Sequence, residues 1–159
     1  MNNKSLGREL SFRFLYRFFL NEEHDLIQIY EKADWHGEFI EFLAAPDAED
    51  RTQNSDGIEV ITPEAKVLAE KLIDGVLINS EVIRNTLVQN LENWKLENLD
   101  LIDKVILFLS IYELTLYKET PPKVAINEAI NLGKKFSEAK APQFINSVLD
   151  KIHKQNRPE

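Results

Sequence analysis

The sequence contains no cysteine, which excludes disulfides, thiolate zinc sites and a cysteine nucleophile. Its five glycines are scattered over 159 residues, so no glycine-rich phosphate loop can be assembled. The longest unbroken apolar run, Val105 to Leu109, is far too short to span a bilayer. Arg8 and Glu9 interrupt the N-terminal stretch that would otherwise be a candidate secretory h-region, and the expected compartment is the cytoplasm. His24, His36 and His153 stand far apart, in none of the spacings that hold a metal. No GxSxG elbow holds a serine nucleophile. Acid pairs such as Glu22-Glu23 lie on polar stretches, where hydration is expected rather than a tuned general acid. The expectation is a chain without intrinsic metal, cofactor or catalytic chemistry, and not an enzyme.

What is present is ordinary globular material: 43% hydrophobic and 29% charged residues, enough to bury a core at about the commonest size of one domain. The net charge of −8 is unevenly spread. Residues 1–20 carry +3, residues 21–57 carry −9, residues 58–120 carry −5 and residues 121–159 carry +3. Acid lies in the middle and both ends are basic. If the ends meet in the fold, one face of an anionic protein becomes cationic; otherwise these charges are solvated helix faces.

The apolar periodicity is helical almost everywhere. Residues 6–20 are apolar on most sides (Leu6, Leu10, Phe12, Phe14, Leu15, Phe18, Phe19, Leu20), as expected of a helix buried on several faces. Its bases form two i,i+4 pairs, Lys4 with Arg8 and Arg13 with Arg17, on roughly opposite sides at 100° per residue. Asp25 can cap a second helix through about Ala45, and 46–57 reads as an acidic, turn-rich loop. Thr62-Pro63-Glu64 supplies an N-cap, an N1 proline and a first-turn acid. A break near Asn79-Ser80 divides the helix it opens from a shorter one. Asn98 or Asp100 starts a core helix running to Leu116, Pro122 begins another through Phe136, and Ala141-Pro142 begins the last. This amounts to an all-α fold of about seven helices in one domain, residues 1–159, without a convincing strand.

Tyr16, Phe136 and Phe144 lie close in sequence to Arg13, Arg17, Lys134, Lys135 and Lys140. Aromatics that stack bases, next to cations that hold phosphates, are how single-stranded RNA is bound. Phe136 and Phe144 also fit an apolar stripe. Arg13 has an alternative of its own, an ion pair with Glu9 four residues earlier.

The stretch Pro121-Pro122-Lys123-Val124-Ala125-Ile126-Asn127-Glu128-Ala129-Ile130, followed by Lys134-Lys135-Phe136, resembles the signature of the NusB family of bacterial transcription antitermination factors. Phe144-Ile145-Asn146-Ser147-Val148-Leu149-Asp150-Lys151-Ile152 is similar to that family's closing helix. Ile111-Tyr112-Glu113-Leu114 resembles the end of its core helix, and Gly7-Arg8-Glu9 with Leu15-Tyr16 its opening helix. The resemblance runs from end to end. It implies an all-α factor that pairs with a small-subunit ribosomal protein, NusE. The pair binds single-stranded boxA RNA on ribosomal RNA operons and joins the RNA polymerase antitermination complex. Carried over by residue, it implicates Lys4, Arg8, Tyr16, Phe136 and Phe144 in RNA binding. It implicates Glu97 and Asp103 in holding the ribosomal protein, whose kind is generally basic.

Several positions depart from the family pattern. Lys4-Ser5-Leu6 stands in place of a run of arginines, so fewer phosphate contacts and greater reliance on the partner are expected. Phe108 occupies a position that commonly carries arginine, and Ser147 one that commonly carries glycine. Lys140-Ala141-Pro142 stands where a more acidic or polar turn is common, and Lys140 adds a candidate phosphate contact. Asn127, Glu128 and Asn146 are expected to be structural hydrogen-bonding and capping groups. Two other functions remain in view. A protein-interaction scaffold of the same fold would have little RNA affinity of its own. The fold also resembles the N-terminal domain of certain ribosomal RNA cytosine methyltransferases, for whose catalytic domain 159 residues leave no room. The apolar opening helix could support a homodimer, and no membrane partner is expected.

Overall fold

The computed structural model describes residues 2–22, 26–44, 61–92 and 95–156. Among them are eight α-helices and no strand: α1 (Asn3–Glu22), α2 (Leu26–Lys32), α3 (Trp35–Ala44), α4 (Pro63–Ile78), α5 (Ser80–Gln89), α6 (Leu101–Tyr112), α7 (Pro122–Phe136) and α8 (Ala141–Gln155). A 3₁₀ turn, Leu96–Asn98, precedes α6, and a π-turn, Glu113–Tyr117, follows it. The expected cap at Asp25 and the acidic segment 46–57 lie outside the described residues.

Local chemistry sets the helix ends. Thr62 is extended at φ −78° and ψ 155°, and its hydroxyl accepts the Ala65 N–H at 3.2 Å ahead of Pro63, as its sequence predicts. Asn79 ends α4 where the break is expected, donating from its backbone and its side chain to the Gly75 carbonyl. The helix expected from Asp25 to Ala45 is two helices. Asp34 divides them, because its Oδ1 accepts the Gly37 N–H at 3.0 Å and its carbonyl accepts the Glu38 N–H. That side chain gives the backbone an alternative to the α2 ladder and becomes the start of α3. The core helix also ends early: at Glu113 it widens into the π-turn, which closes on Lys118 at φ 60°.

The core is built around α1 and α6. On α1, Leu6, Leu10, Phe14, Leu15 and Phe19 are at most 1% exposed, each contributing about 1.5–3 kcal/mol by burial. α1 packs against α4, α6 and α7. It approaches α4 closely because Gly7 has no Cβ; one there would stand 2.9 Å from the Ala65 carbonyl oxygen. On α6 the run Val105–Leu109 is buried throughout. Phe108 is a core residue, edge-on to Phe19 at 5.0 Å and with the Arg84 guanidinium 5.5 Å above it. α7 and α8 pack against each other as a helical hairpin and close the core. No helix among the described residues is long and apolar enough to cross a membrane.

Candidate nucleic-acid interface

Helical spacing puts Glu9, Phe12, Arg13 and Tyr16 on one side of α1, at i, i+3, i+4 and i+7. The C-terminal end of α7 lies against that side. Phe136 meets Phe12 at 4.9 Å between ring centres, and Phe12 meets Tyr16 at 6.4 Å. The Arg13 guanidinium lies 4.9 Å over the Phe136 ring, and the Lys135 ammonium 5.5 Å from it. Beneath them is Glu9, whose side chain is 3% exposed; one carboxylate oxygen takes Lys135 and the other stands 3.8 Å from Arg13 Nε. The two basic ends of the chain therefore meet through α1 and α7. Of the aromatics and bases singled out in the sequence, Arg13, Tyr16, Lys135 and Phe136 form one cluster, and the Glu9–Arg13 pair belongs to it.

A few residues further, α8 starts beside the start of α6. Between them is a cleft of about 300 Å³ whose lining includes Asn98, Asp100, Asp103, Glu138, Lys140 and Phe144. Ser137, just after α7, donates its hydroxyl to Asp103 and ties this corner together. Burial pushes the Asp103 carboxyl above the usual carboxylate range; the Ser137 hydrogen bond opposes this, and the charges of Asp100 and Glu138 reinforce it. Glu97 is exposed on the adjoining 3₁₀ turn. Lys140 is exposed, while Phe144 and Tyr16 are half-buried. Asp103, expected to face a protein partner, thus borders Lys140 and Phe144, expected to face RNA, while Glu97 stands on the turn that leads into this corner.

Two expected RNA contacts stand elsewhere. Arg8 is 2% exposed. Its Nε and Nη2 donate to the Glu113 carboxylate at 2.7–2.9 Å, and its Nη1 lies 3.8 Å from Glu128. Glu113, also 2% exposed, accepts a further bond from Thr120 at 2.6 Å. The π-turn widens the helix where Glu113 must reach Arg8. Arg8 is therefore a structural cation clamping α1 to the end of α6, not a phosphate contact on the surface. Lys4 is exposed, but it lies roughly 18 Å along α1 from Tyr16 at the helical rise per residue. It borders a different cleft, lined with Glu64, Val67, Lys71 and Tyr117. There burial and Glu119 push the Tyr117 phenol up to about 12.

Arg17 lies over the Phe14 and Phe42 rings and serves the docking of α3. Glu128 is structural as expected, accepting from Ser5 at 2.8 Å. Asn127 and Asn146 differ from expectation: both are exposed and outside every side-chain hydrogen bond among the described residues. Ser147 is accommodated, its hydroxyl donating to the Gln143 carbonyl at 3.0 Å. Among the described residues, no group of three or more His, Asp or Glu side chains is placed to hold a metal ion.

The model of the NusB family matches residues 6–154. A transcription antitermination protein NusB from Clostridium tetani is 33% identical over 151 residues, covering 94% of this chain and 96% of its own. One from Oleidesulfovibrio alaskensis is 32% identical over 151 residues, covering 94% and 87%. T. maritima NusB superposes with a TM-score of 0.71 at 26% identity, covering 99% of this chain and 94% of that one. A crystal structure of the antitermination factors NusB and NusE in complex with dsRNA superposes with a TM-score of 0.72 at 25% identity, covering 98% of both chains.

Proposed function

The chain belongs to the NusB family, and from that premise we propose that it is a non-catalytic transcription antitermination factor. With the ribosomal protein NusE it binds boxA RNA of ribosomal RNA operons and helps make RNA polymerase resistant to termination. It does so in the cytoplasm, as one helical domain spanning residues 1–159. The observation that carries this reading is the cluster of Arg13, Tyr16, Lys135 and Phe136 at the end of α7, followed at the α8 start by Lys140 and Phe144, which border the acidic corner of Asp103. Cations there hold phosphates and aromatic faces hold bases, while Glu97 and Asp103 suit a basic protein. A ternary complex then forms on adjoining surfaces, and each ligand adds to the binding of the other.

A second reading, a scaffold with little RNA affinity of its own, is favoured by the burial of Arg8, which removes one cation from an already sparse basic arm. Titration of labelled single-stranded boxA-type RNA, and of a scrambled RNA of equal length, with and without NusE separates the two. The antitermination reading expects boxA to bind more tightly than the scrambled RNA and NusE to tighten it further. Equal binding of both RNAs in the presence of NusE would establish the scaffold.

A further inference from the structure

Arg13 carries a flat cation that the signature residues do not account for. Its guanidinium lies 4.9 Å over the Phe136 ring, and its side chain is 24% exposed. Phe12 packs against the same ring at 4.9 Å, so Phe136 is engaged by more than one side chain of the protein. Glu9 lies beneath, almost wholly buried, with Lys135 on one oxygen. Its other oxygen and the Arg13 Nε are both buried without a hydrogen-bond partner, 3.8 Å apart. At that distance Glu9 attracts the guanidinium without a hydrogen bond that would fix its rotation.

A guanidinium laid on an aromatic ring offers its outer face to a nucleobase, because bases stack on arginine planes as they do on aromatics. We propose that Arg13, backed by Phe136 and held by Glu9, is a base-stacking platform for single-stranded RNA, with Lys135 beside it taking the adjacent phosphate. This rests on the RNA-binding reading above, in which Arg13 and Lys135 are cations that hold phosphates, and adds to it a stacking role for Arg13 and a positioning role for Glu9. Lysine cannot replace arginine in this role: it keeps the charge but has no planar face. Electrostatics and stacking therefore come apart in Arg13→Lys.

The test is a double-mutant cycle between protein and RNA. Wild-type and Arg13→Lys proteins, each with NusE, are titrated with boxA-type RNA and with a series in which one nucleotide at a time is made abasic. Arg13→Lys should bind intact RNA about tenfold more weakly with an unchanged dependence on salt, because the charge is retained. One abasic position should cost wild type about tenfold and cost Arg13→Lys almost nothing. Lys135→Ala should instead lower the salt slope by about one phosphate contact. A uniform loss in Arg13→Lys with no coupling to any abasic position would overturn the platform, as would wild-type affinity. In either case continued discrimination of boxA from scrambled RNA would leave the RNA reading standing. Wild-type protein that fails to discriminate boxA overturns both. Because coupling is read as a difference between RNAs on the same protein, partial destabilisation of a variant cancels.

Discussion

Replacing Arg8 with alanine distinguishes a structural cation from a phosphate contact. In the folded protein the guanidinium is 2% exposed and makes three bonds of 2.7–2.9 Å to Glu113, which is equally buried. Arg8→Ala leaves that carboxylate with only the Thr120 hydroxyl at 2.6 Å. Removing one partner of a buried pair typically costs about 3–5 kcal/mol. That is a large share of the stability of a domain this size, and it corresponds to a melting temperature lower by roughly 6–20 °C. Urea denaturation followed by circular dichroism measures the loss. Arg8→Met combined with Glu113→Leu should recover most of it, since apolar replacement of both partners is often close to neutral. RNA affinity of the folded double variant should stay within a few-fold of wild type. The reasoning fails if Arg8→Ala stays within about 1 kcal/mol of wild type while RNA affinity falls, because the guanidinium would then be serving RNA and not Glu113.

Thr62→Ala removes the side-chain cap on the Ala65 N–H and should cost about 0.5–2 kcal/mol in the same denaturation assay. Gly75→Ala would place a Cβ 1.9 Å from the Tyr112 ring, so it should destabilise by about 1–3 kcal/mol as α4 and α6 are forced apart. Asp103 is held above its ordinary carboxylate range by burial. The folded state therefore binds its proton more readily than the unfolded state, and this residue's contribution to stability falls as pH rises from its ordinary value near 3.8 through its folded value. Asp103→Asn, which keeps an acceptor for Ser137, should flatten that part of a stability–pH curve. It should also weaken NusE binding above that range.

The helices were legible because their signals are local. The Thr62-Pro63-Glu64 start, the Asn79-Ser80 break and the Pro122 start depend on residues within one turn of each other. Asp34 does not stand out as a divider because it sits inside an apolar period long enough for one helix, and its cap on Gly37 becomes visible once the chain bends. The site divides the same way. Phe136, Lys140 and Phe144 are flagged by type and spacing near the chain's basic end. Arg8 reads as a surface cation because a base on a helix looks the same in sequence whether its partner is water or a glutamate 105 residues away. Arg13 and Lys135 lie 122 residues apart and meet only through the packing of α1 on α7. The signal that could have drawn them together was the pattern of Glu9 preceding Arg13 on a helix whose apolar side needs a second element.

The central claim is that RNA crosses the second half of α1, the end of α7 and the start of α8. Shift mapping by NMR on isotope-labelled protein, titrated with boxA-type RNA in the presence of NusE, tests it most directly. The largest changes should fall on the Arg13 Nε–H, on Tyr16, and on Lys135, Phe136, Lys140 and Phe144, while the buried Arg8 Nε–H keeps its shift. Changes concentrated on Lys4, Lys71 and Tyr117, or on α2 and α3, with the first group unmoved, would contradict it.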